Sequence, residues 1–329
     1  AISSGVKDVR EIIEKAKKGS GLFTTKNPIL FIDEIHRFSK SQQDSLLGAV
    51  EKGWVTLIGA TTENPSFEVI PALLSRCQVY ILNSFDKSDL ILLLKRAIKE
   101  SCDIYFYEVA RLLGIDRLQK TAFKFGLGDY VFQDFFEEAK GLVPSTSWKR
   151  EALGKSWYLG ETMISGIGQG YIKTTNVQLC KMIAQFANGG YQINASFFDS
   201  SDLALGKKII DDDEHIELIL KSLFEATNLP GGTSYRSRIP GTMKIAGKTG
   251  TAQVRKISES QREQDLKNKD LPWKFRDHSL FTGYGPADNP KYAISVIIEH
   301  GGSGSAVAAP IARNIMRKIF EKERKLNNV

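Results

Sequence analysis

Residues 243–254 read MKIAGKTGTAQV. The stretch has the form of a strand that carries Lys248-Thr249-Gly250-Thr251 in its middle. Such a strand suits acyl-transfer chemistry. The lysine supplies positive charge, the hydroxyls of Thr249 and Thr251 grip a carboxylate, and Gly250 lets a substrate lie close to the backbone. Two further strand-like runs follow, 279–285 and 292–299, joined by short connections rich in Gly and Pro. That spacing favours antiparallel pairing. Helical spacing marks 101–126, 174–188, 213–227 and an amphipathic C-terminal stretch, 308–325, with Ile311, Ile315, Ile319 and Phe320 on one face. Residues 99–329 therefore read as α+β, helices packed on an antiparallel sheet.

The first hundred residues follow another pattern. A helical stretch at 6–18 is followed by apolar Ile29–Ile32, a second apolar run at 55–60, and between them a helix at 41–52 with Ser41 and Asp44 as its capping box. Both runs read as buried parallel strands, and the alternation reads as an α/β layer structure. Ile32 leads into Asp33-Glu34, the form of a strand that delivers one carboxylate to a Mg²⁺ shell and a second beside it to polarise a water. The second strand leads into Thr61-Thr62-Glu63-Asn64-Pro65, where a polar side chain can sense a phosphate, and Arg76 stands shortly after. The pattern changes near residue 98, with no Gly/Ser/Pro-rich linker.

Composition is that of a globular protein, 42% hydrophobic and 25% charged over 329 residues. Residues 1–100 hold 14 of the 45 Lys/Arg and 12 of the 38 Asp/Glu, so the net charge of +7 is spread over both parts. Composition alone gives no argument for nucleic-acid binding. Cys77, Cys102 and Cys180 have no metal-ligand spacing, so neither a zinc site nor a disulfide framework is expected. No apolar run reaches membrane-spanning length and no export signal stands at the N-terminus, so a cytoplasmic location is expected. The first residue is Ala, which reads as a truncated frame or a processed product. His36 and His278 read as ordinary polar positions, 255–269 as a solvated loop, and Asp211–Asp213 as a helix start.

SCDIYFYEVARLLGID (101–116), FGLG (125–128), GIGQGYIKTTNVQLCKMIAQFANGG (166–190) and KIAGKTGTAQV (244–254) together closely resemble the transpeptidase domain of the class B penicillin-binding proteins of cell elongation, penicillin-binding protein 2. The resemblance covers about residue 97 to the end. It implies a serine D,D-transpeptidase that cross-links peptidoglycan stem peptides and reacts with β-lactams, needs no cofactor, and is anchored in the inner membrane facing the periplasm. It further implies that Ser101 and Asp103 form the Ser-x-Asn/Asp motif, Ser101 aiding proton transfer beside Lys248. Thr249, Gly250 and Thr251 are then substrate-binding, and the Thr251 N–H contributes to the oxyanion hole.

LFIDEIHRFSKSQQDSLLGAVEKGWVTLIGATTENPSFEVIPALLSRCQVYIL (30–82) resembles the replication-associated recombination ATPases, AAA+ relatives of clamp loaders, from about residue 3 to 98. This implies Mg-ATP as cofactor, DNA as partner and a self-oligomer. Asp33 and Glu34 would be the Walker B pair, Thr62 or Asn64 the phosphate sensor, and Arg76 the arginine finger.

Each resemblance carries a departure. The string G-x-x-x-x-G-K-[ST], which supplies the phosphate loop, occurs nowhere in the sequence. The transpeptidase nucleophile, Ser-x-x-Lys, belongs N-terminal of Ser101. The two such strings, Ser4–Lys7 and Ser84–Lys87, both fall within the ATPase-like stretch. Loss of a serine nucleophile costs on the order of 10⁶ in rate. The expectation is therefore a partial AAA+ core at 1–98 and a partial transpeptidase-like domain at 99–329, holding ligand without acylation or ATP hydrolysis. Because the two chemistries belong on opposite sides of a membrane, the chain reads as a junction product of recombination or genome mis-assembly.

Overall fold

The computed structural model describes residues 28–132, 135, 137–198, 206–254 and 268–327, with residues 11, 13, 14 and 17. The helical stretch expected at 6–18 falls mostly outside these residues. So do Ser4 and Lys7, and most of the charged loop at 255–269. The chain folds as two compact units, Ala1–Ser84 and Phe85–Val329.

In the first unit, β1 (Ile29–Ile32) and β2 (Thr56–Gly59) pair in parallel, Phe31 opposite Ile58. Their inward residues join Ile35, Phe38, Leu46, Ala49, Val55 and Leu73 in one apolar cluster. The expectation of fully buried strands is corrected here. Ile29, Phe31 and Ile58 are 67%, 61% and 46% exposed, because a helix covers only one side of this sheet among the described residues. That helix, α1 (Lys40–Glu51), starts one residue earlier than read. Its capping box is Ser39 with Gln42, not Ser41 with Asp44: Gln42 N–H donates to Ser39 Oγ at 3.3 Å, and Ser39 N–H to Gln42 Oε1 at 2.8 Å. Buried Gln43 donates to the carbonyls of Phe38 and Glu68 and accepts from Ile70 N–H, which ties α1 to the chain that follows β2.

The second unit has three layers. Its sheet is β3 (Ala246–Ala252), β4 (His278–Gly285) and β5 (Tyr292–Ile298), antiparallel in the order β3-β4-β5. Helices precede it: α2 (Lys87–Glu100), α3 (Asp103–Leu113), α4 (Ile115–Lys124), α5 (Thr146–Leu153), α6 (Leu159–Ser165), α7 (Asn176–Ala187) and α8 (Asp213–Asn228). The run read as one helix at 101–126 is two, broken at Gly114, whose φ of 79° leaves the helical region. The Asp211–Asp213 reading is met by Asp212, which caps α8 by accepting from Glu214 N–H at 2.9 Å.

Packing on the sheet follows the strand alternation. Ala246 and Tyr284, paired across β3 and β4, face Ile183 of α7 and Leu223 of α8. Ile245, Phe281 and Val296 face the other way, against α9 (Ala308–Asn327). The buried face of α9 is Ala309, Ala312, Met316 and Phe320, with Ile319 half-buried against it; hydropathy places Ile319 and Phe320 rightly and Ile311 and Ile315 wrongly. Small side chains let the helix close on the strands, and Ile311 and Ile315 remain 37% and 43% exposed. No helix among the described residues is long and apolar enough to cross a membrane.

Candidate functional site

Two helix ends and one strand build the site in the second unit. Helix α2 stops at Glu100, and Ser101 takes the left-handed conformation, φ 58° and ψ 56°. Glycine is the ordinary occupant of such a helix end, and a serine there carries a conformational cost. What that cost achieves is the placing of a hydroxyl. Cys102 then caps α3, whose first residue is Asp103.

Lys248 lies on β3, on the same side of the sheet as Ala246, facing the helices. Its Nζ donates to Ser101 Oγ at 2.7 Å and to the Thr249 carbonyl at 3.0 Å. Burial pulls the Lys248 ammonium down to about 8, and the nearby Asp103 carboxylate offsets part of that change. Thr249 Oγ1 donates to Thr233 Oγ1 at 3.0 Å, and Thr233 N–H in turn donates to the Lys99 carbonyl at 3.2 Å. The end of α2 and the middle of β3 are thus joined twice.

The outer edge of β3 pairs with no further strand among the described residues. Along it lie the carbonyls of Gly247, Thr249 and Thr251, which accept from Thr227 Oγ1, Lys248 Nζ and Gln169 Nε2. In an antiparallel ladder a residue's N–H and C=O point the same way. The N–H groups of Thr249 and Thr251 therefore also face outward, two residues apart. Gly304 N–H donates to Thr251 Oγ1 at 3.4 Å. Gly247 is required by close approach: a Cβ there would come within 2.6 Å of Phe281 Cζ and the Thr282 carbonyl. Ser101, Asp103, Lys248, Thr249, Gly250 and Thr251 thus surround one edge that offers positive charge, hydroxyls and amide donors, the set an anionic oxygen takes.

Sequence reading assigns neither Thr233 nor Gln169 any part here. Gln169 is visible only as the fourth residue of a Gly-x-Gly-Gln-Gly string, and Thr233 gives no signal.

Residues 78–317 match the family described as penicillin binding protein transpeptidase domain. The chain belongs to that family. Residues 1–85 match the ATPase family associated with various cellular activities, AAA. The transpeptidase domain is 34% identical over 241 residues to the peptidoglycan D,D-transpeptidase MrdA of Salmonella typhimurium, a match covering 69% of this chain and 38% of MrdA. The chain thus spans about two-fifths of the length of that relative. Among solved structures, PBP2 of Pseudomonas aeruginosa in complex with WCK 5153 aligns with a TM-score of 0.57 at 37% identity, over 68% of this chain and 48% of that one. PBP2 of Helicobacter pylori, in complex with MreC, aligns with a TM-score of 0.61 at 30% identity, over 69% and 40%. The AAA segment is 52% identical over 98 residues to replication-associated recombination protein A of Coxiella burnetii, which covers 30% of this chain and 21% of that protein. One polypeptide therefore joins a transpeptidase domain to an AAA segment.

In the AAA segment the sequence-read residues lie apart in their bonding. Asp33 is exposed just past β1. Glu34, with φ 55°, holds His36 Nε2 at 3.2 Å and Arg37 Nε at 3.5 Å. The hydroxyl linked to Glu34 is that of Thr61, through His36 Nδ1 at 2.9 Å. Thr62 is exposed, and the Asn64 side chain accepts from Ser66 N–H to cap a single helical turn. Arg76 is held by Glu51 at 2.6 Å and by the Ala72 carbonyl at 2.8 Å. Among the described residues no group of three metal-ligating side chains converges. Of the two carboxylates, Asp33 is exposed and Glu34 is engaged in ion pairs.

Proposed function

We propose that the transpeptidase domain binds the carboxylate end of a peptidoglycan stem peptide, or a β-lactam, along the outer edge of β3 without becoming acylated. The observation that carries this reading is the 2.7 Å bond from Lys248 Nζ to Ser101 Oγ. It fixes a positive charge at the head of an edge that presents the Thr249 and Thr251 hydroxyls and their N–H groups. A ligand carboxylate set against Lys248 and the two hydroxyls brings the adjoining carbonyl toward the Thr251 N–H. There it is polarised but not attacked: the Ser-x-x-Lys nucleophile belongs N-terminal of Ser101, and both such strings fall within the ATPase-like stretch. Of the two Ser-x-x-Lys strings, Ser84 is an exposed residue of the first unit.

The test is incubation with a fluorescent penicillin, read by denaturing gel and mass spectrometry beside equilibrium binding of the same probe. The expected result is saturable binding, lost in Lys248→Ala, with no covalent adduct. A stoichiometric adduct on any serine rejects the proposal.

For the AAA segment the corresponding inference is that Mg-ATP is bound poorly and not hydrolysed. The arginine-finger role implied by its family would need Arg76 released from Glu51. Micromolar ATP affinity by calorimetry overturns this.

A further inference from the structure

Gln169 sits at the tip of a tight turn, between Gly168 and Gly170, whose φ values of 76° and 78° only glycine adopts freely. The turn is seated firmly. A Cβ on Gly166 would come within 2.4 Å of the Ala110 side chain of α3, so glycine lets the turn close onto the helix that starts just after Ser101. Gln169 N–H donates to the Ile164 carbonyl at 3.2 Å, which fixes its backbone. Its side chain reaches β3: Nε2 donates to the Thr251 carbonyl at 2.8 Å, and Oε1 accepts from Gln253 N–H at 3.3 Å.

One residue of a parallel neighbouring strand makes this same pair of bonds, to the carbonyl of residue i and the N–H of residue i+2. A primary amide carries an N–H donor and a carbonyl acceptor in the right arrangement to imitate it. An extended peptide that binds by adding itself to an edge strand needs those groups. With its carboxylate against Lys248, such a ligand cannot run toward Gly247, which is buried with its carbonyl held by the fully buried Thr227 Oγ1. It must run toward Gln253, and the first acceptor its amide N–H meets is the Thr251 carbonyl.

We propose that Gln169 is a latch on the β3 edge, a specificity-determining residue whose side-chain amide a ligand amide N–H must replace at the Thr251 carbonyl. This rests on the carboxylate reading of the Lys248–Thr251 edge. A ligand with an amide N–H next to its terminal residue exchanges one bond for another. A ligand without that N–H leaves the latch in place.

The test measures binding of N-acetyl-D-alanyl-D-alanine to the full chain, and of the same dipeptide with its acetamide nitrogen methylated. Gln169→Leu and Gln169→Ala are each compared with the wild type, and Lys248→Ala serves as reference. The expected result is about five-fold tighter binding of the first ligand in both Gln169 variants, the factor that one net neutral hydrogen bond gives, with the methylated ligand unchanged. An equal shift for both ligands, weaker binding, or no change overturns the latch while Lys248-dependent binding persists. Absence of binding to the wild type overturns the latch and the carboxylate reading together.

Discussion

The Lys248 ammonium and the Ser101 hydroxyl meet at 2.7 Å across 147 positions of sequence. The contact exists only because α2 ends where it does and β3 passes beneath it. Ser101 accepts that bond from a lysine whose burial makes the charge costly. A positive charge held where it is disfavoured is poised for an anion, and its cost has measurable consequences.

Ligand affinity is expected to follow the protonation of Lys248. The ammonium attracts a carboxylate, and its folded-state value is about 8 rather than the usual lysine value. Binding of a carboxylate ligand should be full below pH 8 and fall as pH rises through it, well before an ordinary lysine would lose its charge. Titration of affinity between pH 6 and 10 checks this. An unchanged affinity at pH 9.5 counts against it, and Lys248→Ala should bind weakly and without pH dependence.

The same group governs stability with the opposite interest. Because its folded value lies below its unfolded one, the unfolded chain binds more protons between about pH 8 and 10.5. Stability therefore rises with pH across that window, and the full penalty stands below it. Lys248→Met should stabilise the domain at pH 7 by on the order of 2 kcal/mol. That figure takes about 1.4 kcal/mol for each pH unit separating the folded and unfolded values, less the lost Ser101 bond. The gain should vanish by pH 10.5. Urea denaturation at both pH values gives the comparison.

A second buried lysine should behave in reverse. Lys149, 1% exposed, reaches both oxygens of Glu161 at 2.5 and 2.6 Å, among the rings of Trp157, Tyr158 and Tyr171. Burial alone would raise the Glu161 carboxyl. The bonds from Lys149 and Tyr158 N–H outweigh it and hold it below the usual glutamate range. That stability is present above the ordinary glutamate value and is lost as pH falls through the depressed one. Lys149→Met leaves the carboxylate with Tyr158 N–H and should cost about 1–3 kcal/mol at pH 7, whereas Lys149→Met with Glu161→Leu should recover most of it. Thermal unfolding of the single and double variants decides, and equal losses in both rule the pairing out as the cause.

Much of this is legible along the chain, and the exceptions share a cause. β1 is readable because Pro28 and the Asp33-Glu34 pair bound a short apolar run, and β4 and β5 because turn residues separate two such runs. The face of α9 is half misread because hydropathy favours Ile311 and Ile315, while the sheet takes Ala309, Ala312 and Met316 beside the expected Phe320. Lys149–Glu161 and Gln169–Thr251 give no local signal. Each depends on where tertiary packing brings a side chain, 12 positions away in one case and 82 in the other. Ser101 and Lys248 are found through motif chemistry, which names residues without measuring their separation.

Gly304 offers the sharpest mechanical test of the β3 edge. It lies in the turn after β5 and comes so near the ladder that an added Cβ would stand 2.3 Å from the Gly250 carbonyl oxygen and 2.6 Å from that of Leu280. Both are backbone atoms of paired strands, so no flexible side chain can yield, and either the turn or β3 must move. If the turn moves, the bond from Gly304 N–H to Thr251 Oγ1, 3.4 Å at rest, is lost. If β3 moves, Lys248 leaves Ser101. Gly304→Ala should therefore destabilise the domain by more than about 2 kcal/mol and weaken ligand binding at least about ten-fold. Gly154→Ala is the control. Its φ of 63° strains any side chain, but nothing lies within 4 Å of the new Cβ, so about 1 kcal/mol should be lost with ligand affinity intact. If the two variants lose stability equally and bind ligand equally, close packing at Gly304 does not hold the edge in place.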